Sequence, residues 1–390
     1  MILSSSGNQF SAQRVRRNVM VKDPIYLDNQ ATTPLAPEVF DVMVPWLRDN
    51  FGNPHSAHIL GRKAAAAVEV AREQVAGLLP KGGETLFMGS ATEAINLGFG
   101  AVHALQAVGR NKIIVLDSEH AAVRDTATSY EKHGFIVERH PVGPDGIVSL
   151  EQLRAAIDDK TALVAAMLVN NEIGVIQPVE AIADMAHAKG ALMLCDVVQG
   201  YGRVLIPNNI DMAAISAHKI YGPKGIGALW VRDDINLLPL IHGGGQEQGI
   251  RSGTLSPALC AGFGQAAALC MERRESDAAH IQALSDKARI CFTDWTVNGS
   301  CNRRYSGNLN IRRQGVDVGR LMSDVRGVAF SAGSACASGS GRSSHVLAAL
   351  GLEPAQIKSS IRLGFGRYNS LEDIETASKF INEAVEVQLA

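Results

Sequence analysis

The sequence predicts an α/β fold, in which a large and mostly parallel sheet is followed by a smaller α+β unit. Three observations lead there. Seven short apolar runs read as strands: ETLFM (84–88), KIIVL (112–116), FIVER (135–139), ALVAAMLV (162–169), ALMLC (191–195), DMAAIS (211–216) and IGALWV (226–231). Helix-length segments such as ATEAINLGFGAVHAL and PVEAIADMAHAKG separate the earlier ones, an alternation that puts strands side by side under helices on both faces. From about residue 276 onward the pattern changes, and a long Ala-rich helix (256–290) leads into shorter strands, NLNIR and GVAF.

The expected organisation follows from this. Residues 1–23 form a tail, 35–275 the large domain, and 24–34 with 276–390 the small one. The chain has 390 residues, 46% hydrophobic and 19% charged, which is globular composition with room for both. A net charge of -2 gives no basic excess for nucleic acid, and no apolar run is long enough to span a membrane. Six cysteines form no CxxC pair, so a zinc ribbon and a thioredoxin motif are excluded. Scattered thiols point to a reducing, cytoplasmic setting, with five of the six expected as inert core residues. Residues 1–22 are rich in Ser and Arg and hold no acid, a composition open to a transit peptide. A plain tail, or an upstream start before Met20, is the preferred reading.

In open parallel sheets ligands bind beyond the carboxyl ends of the strands, so the residues after each run matter most. ETLFM is followed by Gly89, Ser90, Ala91 and Thr92 at the start of a helix, where free N–H groups and a hydroxyl suit an anion. KIIVL leads to His120, ALVAAMLV to Asn171, and ALMLC to Asp196 and Gln199. DMAAIS leads to Ser216, His218 and Lys219 in a turn rich in Gly and Pro. Taken singly each has a bland explanation, as an N-cap, a satisfied polar residue or a solvated lysine. Five of the seven strands ending this way are better explained by one shared site. An anion cradle, an acid, an imidazole and an imine-forming lysine together match what pyridoxal phosphate requires.

In order and spacing the chain resembles the cysteine desulfurases of the class V aminotransferase family, the nitrogen-fixation and housekeeping iron–sulfur type. The resemblance runs from about Ile25 to the C-terminus. It is carried by YLDNQATTP (26–34), FGNP (51–54), SATE (90–93), EHAAV (119–123), VNNEIGV (169–175), DVVQ (196–199), SAHKIYGPKGIGAL (216–229), RSGT (251–254), GSACAS (333–338) and SSIRLGFGR (359–367). It implies a fold type I pyridoxal-phosphate-dependent transferase with a seven-stranded, mostly parallel sheet, working as a homodimer. It also implies roles. Lys219 holds the cofactor covalently and moves protons, Asp196 pairs with the ring nitrogen, Gln199 donates to the phenolic oxygen, and His120 stacks on the ring. Ala91, Thr92, Ser216 and His218 hold the phosphate, joined by Thr254 from the other subunit. Asn171 and Arg362 fix the carboxylate of L-cysteine.

Cys336 lies in FSAGSACASGSGRSSHV, a stretch with almost no large apolar side chain, which predicts an exposed thiol on a tether. The resemblance makes it the sulfur carrier, with no resident metal in the fold beyond transient contact with a nascent iron–sulfur cluster. The implied acceptor is a protein such as an iron–sulfur scaffold or a tRNA-thiolation carrier. A selenocysteine lyase or another class V lyase or transaminase is the alternative, and a transaminase has no use for Cys336. A nucleotide-binding module is disfavoured because GGGQEQG (243–249) places Gln248 at the last glycine of GxGxxG. Departures from the family pattern are Gln248 for an expected Arg, Val197 for Ala, Ala217 for Gly, and GRSS (341–344) for a Glu-Pro-Ser type of ending.

Overall fold

The computed structural model describes residues 23–332 and 343–390; residues 1–22 and Cys336 lie outside the described residues. The chain begins with β1 (Ile25–Tyr26), α1 (Pro37–Arg48) and α2 (Ile59–Ala76). The large sheet follows: β2 (Gly83–Met88), α3 (Ala91–Phe99), α4 (Val102–Gln106), β3 (Lys112–Leu116), α5 (Ala121–Tyr130), β4 (Ile136–His140), α6 (Leu150–Ala156), β5 (Thr161–Ala165), α7 (Val179–Ala188), β6 (Leu192–Asp196), β7 (Met212–Ser216) and β8 (Gly227–Arg232). All seven sequence-predicted runs are strands of this one sheet, in the order β2-β8-β7-β6-β5-β3-β4. Only β8 runs against its neighbours.

Alternation within each strand assigns the two faces. Ile114 and Leu116 of β3 point into a core packed under α1, α2, α7 and α8 (Pro257–Glu272), while Ile113 and Val115 point into a second core beneath α3 and α5. The same split holds for Met193 and Cys195 against Leu194 in β6, and for Ala228 and Trp230 against Leu229 and Val231 in β8. A sheet buried on both faces needs apolar side chains at every position, which is why its strands read as continuous apolar runs.

One expectation is corrected. The predicted single helix over 256–290 is two, α8 and α9 (Arg274–Cys291), broken at Arg273. Propensity alone favours continuing through the Ala-rich stretch, but packing does not: α8 lies against α1 and α2, whereas α9 turns away onto the closing helix α13 (Leu371–Leu389). The remaining elements are β9 (Thr296–Val297), β10 (Asn308–Arg312), α10 (Val318–Asp324), β11 (Val328–Ala329), β12 (Ser331–Ala332), α11 (His345–Ala349), α12 (Pro354–Lys358) and β13 (Ser360–Gly364). They form an antiparallel sheet β12-β13-β10-β9 over a third core that includes Leu284, Phe292, Leu309 and Ile381. The start of the chain joins them, since β1 pairs with β11 and Leu27 lies in that core.

Among the described residues no helix is long and apolar enough to cross a membrane, and no His, Cys, Asp or Glu side chains gather as a metal site. Cys195, Cys260 and Cys270 are buried, and burial pushes their thiols above the ordinary range, as expected of inert core thiols. Cys301 departs from that expectation. It is exposed in the loop before β10, and Cys291 is half-buried at the end of α9.

Candidate active site

The carboxyl ends of β2, β3, β5, β6 and β7 open into one cavity of about 1040 Å³. Ala91, Thr92, His120, Asn171, Asp196, Gln199, Ser216, His218, Lys219 and Arg362 all line it. Thr254 does not: it is exposed and away from the cavity of its own chain.

The anion end is built by close backbone approach. Ser90 caps α3 by accepting the Glu93 N–H, and Glu93 in turn accepts the Gly89 N–H at 2.7 Å and pairs with Arg251. Ala91 and Thr92 at the start of α3 line the cavity together with Ser216, the last residue of β7. Gly227 on β8 is required here, since a Cβ would lie 2.7 Å from the Ser90 carbonyl carbon and 2.8 Å from the Ala91 nitrogen. His218 sits beside them with its Nδ1 3.1 Å from Thr32 Oγ1. Burial first, then the charges of Lys219 and Lys224, lower its pKa to about 4, so it offers a neutral imidazole.

Lys219 follows β7 in a short turn. Its ammonium donates to the carbonyls of Gln30 at 2.6 Å and Ala31 at 2.8 Å. Gln199 Nε2 donates to the same Gln30 carbonyl at 2.9 Å, and its Oε1 accepts from Arg203. His120 caps α5, its Nδ1 accepting the Ala122 N–H at 3.1 Å. That bond places the proton of a neutral ring on Nε2.

Asp196 closes β6 with Oδ1 accepting the Val198 N–H at 3.0 Å. Burial raises its pKa, and the charges of His120 and Lys219 only partly offset that. A cation beside this carboxylate would restore its charge, which suits the protonated nitrogen of a pyridine ring. Asn171 Oδ1 is buried without a hydrogen-bond partner among the described residues. Arg362 comes from β13 of the smaller sheet and reaches the cavity at 1% exposure, its Nη1 donating to the Asn171 carbonyl at 3.1 Å. An anion cradle, a buried acid, a lysine and an unsatisfied amide oxygen around one cavity fit pyridoxal phosphate with an amino acid.

Some contributors carry no signal that their spacing reveals. The YLDNQATTP segment supplies the carbonyls that hold Lys219, and Asp28 within it accepts from Arg362 Nη2 at 2.6 Å. Glu172 follows Asn171, and burial raises its pKa to about 7 against the bond donated by Ser344 and the charge of Arg362. Glu119 is fully buried, with Oε1 accepting the Met167 N–H at 2.8 Å. Of the departures, Val197 and Ala217 are buried within the first core, and Gln248 adopts a left-handed φ of 58° next to Glu247, which pairs with Arg72.

The family model for aminotransferase class-V matches residues 25–376. The cysteine desulfurase IscS of Rickettsia bellii is 43% identical over 92% of this chain and 90% of its own length. That of Rickettsia africae is 42% identical over the same shares. Among solved structures, a NifS-like protein superposes with a TM-score of 0.87 at 32% identity, covering 93% of this chain and all of that one. SspA, solved in complex with cysteine, gives a TM-score of 0.79 at 35% identity over 88% of this chain and 99% of its own.

Proposed function

The chain belongs to the class-V aminotransferase family, and from that premise we propose a pyridoxal-phosphate-dependent cysteine desulfurase. It converts L-cysteine to L-alanine and passes the sulfur through its own thiol to an acceptor protein, for iron–sulfur cluster assembly or other sulfur transfer. The observation that carries this reading is the convergence of Lys219, Asp196, His120 and the start of α3 on one cavity that Arg362 also enters.

When bound, the cofactor supplies an electron sink for the bonds at the amino-acid Cα and Cβ. The chain's residues do the rest. The amides of Ala91 and Thr92, with Ser216 and His218, hold the phosphate, and Thr254 serves the cavity of a second subunit in a homodimer. Asp196 holds the proton of the ring nitrogen, and Gln199 donates toward the phenolic oxygen. Lys219, which donates to the Gln30 and Ala31 carbonyls, would hold the cofactor and carry the substrate proton. His120, whose Nδ1 accepts the Ala122 N–H, would stack on the ring. Asn171 and Arg362 orient the substrate carboxylate.

Sulfur leaves as the thiolate of Cys336 attacks it: the Cys336 thiol plus L-cysteine give a Cys336 persulfide plus L-alanine, with atoms and electrons balanced. The acceptor in this reading is an iron–sulfur scaffold or a tRNA-thiolation carrier, in a cytoplasm that keeps unpaired thiols reduced. We also divide the chain functionally at residues 35–275, which bind the cofactor, and at 24–34 with 276–390, which bring Arg362 and Cys336.

Incubation with L-cysteine should release alanine and add ~32 Da to the peptide that contains Cys336, as expected of a persulfide. Cys336→Ser should stop alanine formation while leaving cofactor binding intact. Full-rate alanine from the Ser variant, or sulfur mapped to Cys291 or Cys301, would sink this assignment.

A further inference from the structure

Two arginines at the cavity's far side have no part in the chemistry above. Arg124 lies on the first turns of α5 and Arg139 on β4, and both line the cavity. β4 is the edge of the large sheet opposite β2, while α5 packs beside α3 over the same core. Neither arginine belongs to the anion end described above, which is built from Ala91, Thr92, Ser216 and His218.

Neither guanidinium forms an ion pair among the described residues. Arg124 Nη1 donates to the Asp117 carbonyl at 3.0 Å, and Arg139 Nη2 to the Thr128 hydroxyl at 3.0 Å. Both partners are neutral. Asp117, Asp125 and Glu119 attract Arg124 at longer range, yet its pKa is lowered by burial first and by the charge of Arg139 second. Two positive groups that repel one another beside a cavity are costly unless an anion comes between them.

Their place relative to the sulfur carrier matters. The chain leaves the described residues at Ala332, paired with Ile361 next to Arg362, and returns at Ser343, which lines the same cavity. Two residues later, His345 Nε2 meets the Glu119 carbonyl at 2.8 Å, one residue before α5 and its cap. The described residues on either side of Cys336 thus meet the cavity next to Arg362 and next to the start of the helix that carries Arg124. Arg139 is exposed and faces whatever arrives from solvent.

We infer that Arg124 and Arg139 form a recognition rim for the sulfur acceptor, selecting a thiol that carries a carboxylate close by. The inference rests on the desulfurase reading. In the transfer the acceptor thiol attacks the outer sulfur, the S–S bond to Cys336 breaks, and the acceptor's proton passes to the released Cys336 thiolate. One persulfide and one thiol become one thiol and one persulfide, with no outside oxidant.

The test loads the holoenzyme with L-cysteine and compares three acceptors: mercaptosuccinate (anionic), 2-mercaptoethanol (neutral) and cysteamine (cationic). The quantity read is the ratio of kcat/KM values, compared between enzymes so that differences in intrinsic thiol reactivity cancel. Replacing both arginines (Arg124→Gln with Arg139→Gln) should lower the mercaptosuccinate to 2-mercaptoethanol ratio about tenfold. Raising the salt should lower the wild-type ratio in the same direction. Arg139→Glu, a change at an exposed position that leaves the core intact, should move preference toward cysteamine. A cysteine peptide flanked by aspartates, set against its asparagine twin, asks the same of a polypeptide acceptor. A response to mercaptosuccinate alone assigns a small-molecule acceptor, and a response to the peptide a protein one. Ratios unchanged in both arms, with alanine still formed, overturn the rim and leave the desulfurase standing. Failure of the wild type to make alanine overturns both.

Discussion

Asp28 and Arg362 lie 334 residues apart in sequence and 2.6 Å apart in space. The arginine also donates to Ser331 at 3.2 Å and to the Asn171 carbonyl, while its Nε has no partner among the described residues. Its charge is therefore half-compensated, and its direction fixed, before any substrate arrives. A substrate carboxylate that takes it as a two-pronged partner has to share it with Asp28.

That geometry predicts an asymmetry in stability. Asp28→Ala strands a guanidinium that is 1% exposed, and stranding a buried charge costs roughly 3–5 kcal/mol. Removing both partners, as in Asp28→Ala with Arg362→Met, should recover a large part of that loss, because no uncompensated charge remains. Thermal or urea denaturation reads both variants. A double variant that is less stable than the single one would contradict this account of the pair.

The two charged ends of the site should separate kinetically. Asp196 acts on the reacting ring, so Asp196→Ala should lower kcat by 100-fold or more, about 3 kcal/mol or more, with little change in KM. Arg362→Ala removes the grip on a non-reacting carboxylate and should act mainly on KM for L-cysteine. Steady-state alanine production distinguishes them. An exchange of the two phenotypes would reverse the roles assigned to these residues.

Glu172 gives a pH-dependent prediction. Its carboxyl is raised from 4.5 to about 7 in the folded chain, chiefly by burial. A raised folded pKa means that the folded state holds the proton more tightly than the unfolded state. The stability this provides is full below about pH 4.5 and is lost as pH rises through about 7. Glu172→Gln fixes the neutral shape and can still accept from Ser344. Its Tm relative to wild type should therefore climb between about pH 5 and pH 8, and a flat difference would rule out the linkage.

What the sequence revealed, and what it hid, follows from range. Strands buried on both faces must be apolar throughout, so runs such as KIIVL declared themselves. The residues after them lay where parallel sheets place ligands, so His120, Asp196 and Lys219 could be read from position and type together. Asp28 could not be assigned a role, because its partner Arg362 comes from the other end of the chain. The carbonyls of Gln30 and Ala31 were equally hidden, since backbone groups have no signature in residue type. The break at Arg273 was missed because the Ala-rich composition on either side is continuous and only tertiary packing separates α8 from α9. Arg124 and Arg139 carry no signal in the sequence, since only the fold brings α5 and β4 to one cavity.

Lys219 carries the last prediction. Its ammonium donates to two backbone carbonyls from a segment 189 and 188 residues away. Carbonyl ligands stabilise an ammonium less than a carboxylate would, and they leave it able to depart when a better bond is offered. Bonding the cofactor requires that departure. In wild-type protein loaded with pyridoxal phosphate, borohydride reduction should fix the cofactor to the peptide containing Lys219, found by mass. Lys219→Ala should bind the cofactor reversibly through the phosphate cradle and lose it on dialysis after the same treatment. Without cofactor, that variant should also lose about 1–2 kcal/mol of stability, because the Gln30 and Ala31 carbonyls lose their donor and must be satisfied by water. Label found on another lysine such as Lys224, or retained by the Ala variant, would remove Lys219 from the centre of the site.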